Sequence, residues 1–305
     1  MSYRESVVPS QQMITVLVEH GKVASRHLKS TCGLTYGEFT LLLALCETND
    51  AIPIEALSDF VMLRRRTVAG ILLSLEDARL IEKVPCPADA RIALCRPTAE
   101  GRAVVSDARA SLEDELAQAF TGSLPLDELD VFKRSIGASN NALRGHAVEA
   151  FHSADAEGAY WADYLVAWRS LIDRLAEKVA LSTQLTLNEY RILRLLKESG
   201  PMILGDIAET LCMQMSGLSV HAKKLEQRRL VERAQHPFDG RSAVLRGTRE
   251  GEYLSQKATD SLNEISRIWH SCLDDEAVNA LNACYMRMYG NLRKYLENMT
   301  VIINS

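Results

Sequence analysis

The chain is poor in features that announce chemistry. Its seven cysteines are odd in number and hold no Cys-x-x-Cys pair. A disulfide framework or a structural zinc site is therefore not expected, and reduced, mostly buried thiols are. No uninterrupted apolar run is long enough to cross a bilayer, and Met1 to Gly21 shows no basic stretch followed by an apolar one. A cytoplasmic location with no membrane partner is the expectation. There is no glycine-rich phosphate loop and no nucleophile elbow, so neither an enzyme nor a bound cofactor is expected. The net charge of −5 predicts, by itself, no affinity for nucleic acid.

What the chain does have is a copy of itself. Leu75 to Gly101 recurs 150 positions later as Leu225 to Gly251, with 13 identical residues. The period is about one domain long, far beyond a solenoid unit. Upstream, Leu34-Thr35-Tyr36-Gly37-Glu38-Phe39 aligns with Leu185-Thr186-Leu187-Asn188-Glu189-Tyr190 at an offset of 151, so one residue is lost in the turn between. Downstream, Val104, Ala108 and Leu112 align with Leu254, Ala258 and Leu262, one face of an amphipathic helix. No cysteine occupies the same position in both copies. The 305 residues thus read as two copies of one domain, 1–150 and 151–305, joined through a weakly periodic linker, Gly145 to Gly158.

Periodicity supplies the elements of each copy. In the first, Glu38 to Cys46 and Ile54 to Val61 are predicted helices. A tight Met62-Leu63 connection leads to a third, in which Val68, Ile71, Leu72 and Leu75 share one buried face. Leu80 to Val84 and Ile92 to Arg96 read as strands around a turn-rich segment. A helix-turn-helix followed by a hairpin is a wing-bearing unit. The second copy repeats it: Leu204 to Leu211, a connection through Cys212 and Met213, an inward Leu218/His221/Ala222/Leu225 face, then strands Leu230 to Ala234 and Ser242 to Arg246. Long helices are predicted around both, Val7 to Lys29, Thr98 to Phe120, Asp127 to Leu143, Tyr160 to Ala180, Thr248 to Cys272 and Glu276 to Glu297. Their apolar faces exceed what one small unit can cover. The fold class is mainly α with small β-wings: two winged helix-turn-helix domains plus interlocking long helices, a pseudo-two-fold, dimer-like chain.

Local charge departs from the acidic total. Arg64 to Arg102 holds eight Lys and Arg against five Asp and Glu, and Gln214 to Gly251 holds eight against four. Basic patches of this kind are the electrostatic footprint of phosphate binding. In a helix-turn-helix the second helix enters the major groove by its N-terminal residues. The candidates are Arg64, Arg65, Arg66 and Thr67 in the first copy, and Gln214, Ser216, Ser219 and Lys223 in the second. Three arginines at the positive end of a helix dipole call for an anionic partner; the plain alternative is a solvated helix start. At the wing tips, Arg91 and Arg241 can enter a minor groove, each oriented by a neighbouring acid, Asp89 or Asp239; the plain alternative is an acid–base pair that stiffens the turn.

Each copy resembles a MarR-type winged-helix regulator, the multiple antibiotic resistance regulator family. The resemblance rests on the Leu-Thr-x-x-Glu opening, the Leu-Glu ending the third helix, Asp89/Arg91 and Asp239/Arg241 at the wing tips, and the Thr-x-x-Gly of Thr98/Gly101 and Thr248/Gly251. It implies interlocking terminal helices and paired winged units on a palindromic duplex, here fused into one chain, a monomeric pseudo-dimer or weak homodimer. It also implies a left-handed residue closing the recognition helix, where Arg79 and Arg229 stand, and a small, often phenolic, ligand. For such an aromatic ligand the candidate pocket is Trp161, Tyr164, Trp168 and Trp269, whose plain reading is helix core. No cysteine lies in Val7 to Lys29 to serve as a peroxide sensor, and His146, His152, Asp155 and Glu157 read as linker residues rather than a metal site. The resulting expectation is a sequence-specific, double-stranded-DNA-binding transcriptional repressor released by a small molecule. The competing reading is a winged-helix protein that has lost DNA reading and serves as a ligand-binding or protein-interaction module.

Overall fold

The computed structural model describes residues 9–48, 51–89, 91–144, 159–235 and 243–304. The linker, Asp239 and Arg241 lie outside them. Contacts divide the chain into two compact units. One comprises His20–Leu171 with Ser271–Cys284, and the other Met1–Glu19, Ile172–His270 and Tyr285–Ser305. The 150/151 boundary of the repeat is therefore not the boundary of packing. Each unit joins the winged body of one repeat to flanking segments of the other.

In the first unit the body opens with α2 (Tyr36–Cys46), after α1 (Gln11–Thr31). The Leu-Thr-x-x-Glu sequence explains its start as a capping box: the Thr35 hydroxyl accepts the Glu38 amide at 3.2 Å, and the Glu38 carboxylate accepts the Thr35 amide at 2.8 Å. A short strand, β1 (Ile52–Pro53), leads into α3 (Ile54–Phe60). Met62 turns the chain in the left-handed region at φ 50° before α4 (Arg65–Asp77). Val68, Leu72 and Leu75 of α4 are fully buried while Ile71 is half-buried; each fully buried leucine contributes roughly 1.5–3 kcal/mol. Arg79, at φ 60°, ends the helix. Next come β2 (Ile81–Pro85) and β3 (Ala93–Pro97), each one residue later than the sequence predicts. The sheet order is β1-β3-β2, antiparallel, with Ile52 and Lys83 both opposite Cys95. Reading the sequence alone missed β1, because two residues carry no period and the pairing is distant.

Then follow α5 (Ala99–Leu116), a π-helical turn at Ala117–Thr121, and α6 (Leu126–Arg144). The Thr-x-x-Gly motif has a mechanical reading here. Thr98 caps α5 by accepting the Gly101 amide at 3.0 Å, and its own hydroxyl donates to the Arg79 carbonyl at 2.8 Å.

The second repeat follows the same plan. After α7 (Ala159–Thr183) come α8 (Leu187–Ser199), β4 (Met202–Ile203), α9 (Leu204–Thr210), α10 (Met215–Gln227), β5 (Val231–Gln235), β6 (Ala243–Gly247), α11 (Arg249–Trp269) and α12 (Asp275–Asn304). Thr186 and Glu189 form the capping box, Cys212 (φ 51°) makes the tight turn, and Arg229 (φ 57°) closes α10. The sheet order is β4-β6-β5. Leu218, Ala222 and Leu225 are buried, whereas His221 is half-buried. No described helix is long and apolar enough to cross a membrane.

Candidate nucleic-acid interface

Within each winged body the strands are tied by the same two ion pairs, 150 residues apart. Lys83 meets Glu76 at 2.5 Å and Arg96 meets Glu82 at 2.7 Å; Arg233 meets Glu226 at 2.6 Å and Arg246 pairs with Glu232. These cations brace the wing against the recognition helix and along its hairpin. They are committed to structure, so the local basic surplus must be sought elsewhere.

It sits at the recognition helices. Arg64, Arg65, Arg66 and Thr67 are all exposed at the start of α4. Arg64 occupies the N-cap position without a side-chain cap; the Thr67 amide turns back to the Arg64 carbonyl at 2.8 Å, and no side chain caps the first turn, where three guanidinium groups stand. Arg65 faces Glu55 of α3 at 3.3 Å, with both side chains more than half exposed. Sequence reasoning missed this contact, since nothing local links positions 55 and 65. An exposed pair of this kind is worth about 0–1 kcal/mol, little enough for a phosphate to displace the acid. No ion pair among the described residues engages Arg64 or Arg66.

On α10, Gln214, Ser216, Ser219 and Lys223 are likewise exposed, and Gln214 provides no side-chain cap. Lys223 and Lys224 have no ion pair among the described residues. The two helices differ in their apolar outward residues. Leu73 of α4 is exposed, and Met215 and Val220 of α10 are exposed, each by about half. An outward valine or methionine on such a face can touch a thymine methyl but cannot make a two-pronged base contact.

The described wing tip places Arg91 with its side chain 93% exposed. Asp89 accepts the backbone amide of Arg91 at 3.0 Å, while the guanidinium stands 3.8 Å away. The acid thus fixes the turn more than it aims the arginine. The corresponding pair, Asp239 and Arg241, falls outside the described residues.

The aromatic candidates are packed as core. In the first unit Trp168 stacks on His20 with ring centres 4.1 Å apart, Tyr164 meets Trp168 edge-on at 5.7 Å, and Trp161 meets Tyr164 at 5.5 Å. All three are buried. Trp269 is buried in the other unit. The four residues are therefore not gathered within one unit.

Residues 185–243 match the MarR family model. Over 86 residues the chain is 32% identical to an uncharacterized HTH-type transcriptional regulator, YxaD, of Bacillus subtilis, covering 27% of this chain. The match spans 60% of that relative's length. Among solved structures, a probable transcriptional regulator from Pseudomonas aeruginosa is similar at 22% identity and a TM-score of 0.35, covering 40% of this chain and 93% of that one. CouR from Rhodococcus jostii, solved with p-coumaroyl-CoA, is similar at 20% identity and a TM-score of 0.37, covering 42% and 85%.

Proposed function

We propose that this chain, which carries a MarR-family domain, is a sequence-specific double-stranded-DNA-binding transcriptional regulator that works as a single-chain pseudo-dimer. The observation that carries the reading is the pair of winged bodies, each presenting an exposed recognition-helix start with no side-chain cap, with Arg64 and Arg66 at the start of α4 and Lys223 and Lys224 further along α10 in no ion pair among the described residues. Repression relieved by a small molecule follows from the family resemblance.

The pseudo-dimer reading draws support from what each unit contains. In the first unit, Tyr36 of repeat one donates to the carbonyl of Leu165 at 2.9 Å, and buried Arg144 pairs with Asp163 at 3.2 Å. Leu165 and Asp163 belong to the second repeat's opening helix. Two chains would exchange helices in this way in a homodimer; here the exchange occurs within one chain.

The test is fluorescence anisotropy on duplexes from the chain's own upstream region across a salt series, with sedimentation in parallel. Each phosphate neutralised contributes about −0.9 to the slope of log affinity against log salt. Arg66→Ala should flatten the slope by about one unit, and the free chain should sediment as a monomer or a weakly associating dimer. An unchanged slope in an Arg65→Ala/Arg66→Ala/Arg91→Ala variant would move the DNA surface elsewhere. Absence of salt-dependent binding to any duplex would favour the interaction-module reading, to which the Arg65–Glu55 pair and the apolar Met215 and Val220 lend weight.

A further inference from the structure

The joint between a winged body and the opening helix of the other repeat is built differently in the two units. In the second repeat, Arg191 of α8 is fully buried. Its guanidinium donates to Asn188 Oδ1 at 3.0 Å, to Thr15 Oγ1 of α1 at 2.8 Å and to the Leu211 carbonyl at 2.6 Å. One side chain thereby ties the first repeat's opening helix to the chain just before the recognition helix α10.

In the first repeat the cation comes from the opposite side of the joint. With the 151 offset carried upstream, and 150 after the turn, Asn188, Arg191, Leu211, Thr15 and Val18 correspond to Gly37, Thr40, Val61, Val166 and Arg169. These five line one cavity of about 10 Å³ within a single unit, and the counterparts of three of them are the groups that Arg191 bonds. Arg169 belongs to α7, the second repeat's opening helix, and its Nη1 lies 2.6 Å from where a Cβ on Gly37 would stand. Glycine at 37 makes room for a guanidinium from the other repeat, whereas asparagine at 188 accepts from one on its own helix. Thr40 has no charge to place, and its hydroxyl turns back to the Tyr36 carbonyl at 2.7 Å. Each joint thus holds one arginine, supplied by the body in one unit and by the opening helix in the other.

A symmetric homodimer must carry the same joint twice, so this exchange has a use only between unlike repeats. Pairing two second repeats would set Arg191 against Arg169 in a space that holds one guanidinium. It would also replace Thr15 and Glu19, an acceptor and an opposite charge for Arg191, by Val166 and Ser170. Buried charges left without their partners are strongly destabilising. Pairing two first repeats would set Gly37 and Thr40 against Thr15 and Val18, with no guanidinium at the joint and a void in its place. Fit on one side and a clash on the other are the two means by which an interface discriminates.

We infer that the joint of Arg169 with Gly37 and Thr40, and that of Arg191 with Asn188 and Thr15, form a pairing code by which each winged body accepts the opening helix of the unlike repeat and refuses that of its own kind. The inference rests on the single-chain reading proposed above and is independent of DNA binding.

The experiment uses the full chain with a protease site placed in the 145–158 linker and cut after folding. The nicked protein is unfolded in urea and refolded, and its pairs are counted by native mass spectrometry. Indifferent pairing gives like and unlike pairs in equal shares; the code gives unlike pairs in at least about tenfold excess. Gly37→Asn/Thr40→Arg/Val166→Thr/Arg169→Val gives the first unit the second unit's residues and should bring the shares back toward equality. Equal shares in the protein without these substitutions, or an excess that they leave unmoved, would overturn the code. In the uncut chain, Thr40→Arg alone should lower the urea midpoint, and adding Arg169→Val should raise it again, with at least about tenfold coupling in the unfolding equilibrium. Additive effects there would overturn the assignment even if the cut halves do not refold. Sedimentation of the uncut chain as an obligate dimer would defeat the single-chain reading alone, since unlike pairs would then form between chains and the coupling would persist.

Discussion

The carbonyl oxygen of Leu80 stands 2.1 Å from where a Cβ on Gly101 would lie, and the carbonyl of Leu230 stands 2.0 Å from that place on Gly251. Both glycines sit in the first turn of a long helix, where alanine would otherwise be favoured. Their absent side chains let the strand start of the wing lie directly against the helix that follows it. That contact sets the angle at which each wing leaves its body.

Gly101→Ala and Gly251→Ala should therefore each destabilise the chain. Alanine gains about 1 kcal/mol of helix propensity, but the backbone carbonyl cannot yield as a flexible side chain would, and forced overpacking costs typically about 1–3 kcal/mol. Gly70 is the contrast: it lies in α4 with nothing within 4 Å of its Cβ position, and Gly70→Ala should stabilise by roughly 0.5–1 kcal/mol. Urea denaturation of the three variants checks the opposite signs. A loss of stability in Gly70→Ala matching that in Gly101→Ala would dismiss the steric account.

These glycines also show what the sequence makes legible. Thr98 and Gly101, like Thr35 and Glu38, act on neighbours three residues away, so their pattern is readable in one dimension. The recognition-helix starts were legible for the same reason, as Val68 and Leu218 mark the inward face and leave Arg66 and Ser216 outward. Distant partners were not legible. The buried contact of Tyr36 with Leu165 joins positions 129 apart. Arg191 reads as a polar helix residue until Thr15 and Leu211 are seen around it.

His20 predicts acid sensitivity. It is fully buried on Trp168, and burial lowers its pKa from 6.5 to about 3. The unfolded chain then takes up the proton first, so the stability held above about pH 6.5 declines as pH falls toward about 3. The limiting slope is about 1.4 kcal/mol per pH unit. Between about pH 6.5 and 5.5 the native chain should lose about 1 kcal/mol more than His20→Phe does. Denaturation midpoints at the two pH values read the difference. Parallel losses in both proteins would show that other groups carry the acid response.

Arg191 predicts an asymmetry of stability between the repeats. Its guanidinium, fully buried, donates to Asn188 Oδ1 at 3.0 Å, Thr15 Oγ1 at 2.8 Å and the Leu211 carbonyl at 2.6 Å. Burial lowers its pKa to about 10, opposed by Glu19, so it stays charged near neutrality. Arg191→Met would leave the Leu211 carbonyl without this donor and remove the positive charge that acts on Glu19, at about 3–5 kcal/mol. The corresponding residue of the first repeat is Thr40, whose hydroxyl donates to the Tyr36 carbonyl at 2.7 Å, and Thr40→Val should cost only about 1 kcal/mol. Equal costs in the two variants would mean that the arginine network contributes no more than one ordinary hydrogen bond.

The unlike recognition helices predict an unlike pair of half-sites. A symmetric dimer presents one helix twice and favours a palindrome with half-sites about 34–36 Å apart. This chain presents Arg65-Arg66-Thr67 at the start of α4 and Met215-Ser216-Gly217 at the start of α10. A bidentate arginine–guanine pair discriminates by about 1–3 kcal/mol, which the serine and the exposed Val220 cannot match. Base changes should therefore cost more in the half-site under α4. Duplicating that half-site into a perfect palindrome should gain little, because α10 has no arginine at its start to read the second copy. Selection from random duplexes measures the information in each half directly. A perfect palindrome with equal information in both halves would overturn the single-chain reader, and would instead require two chains to pair through their first repeats.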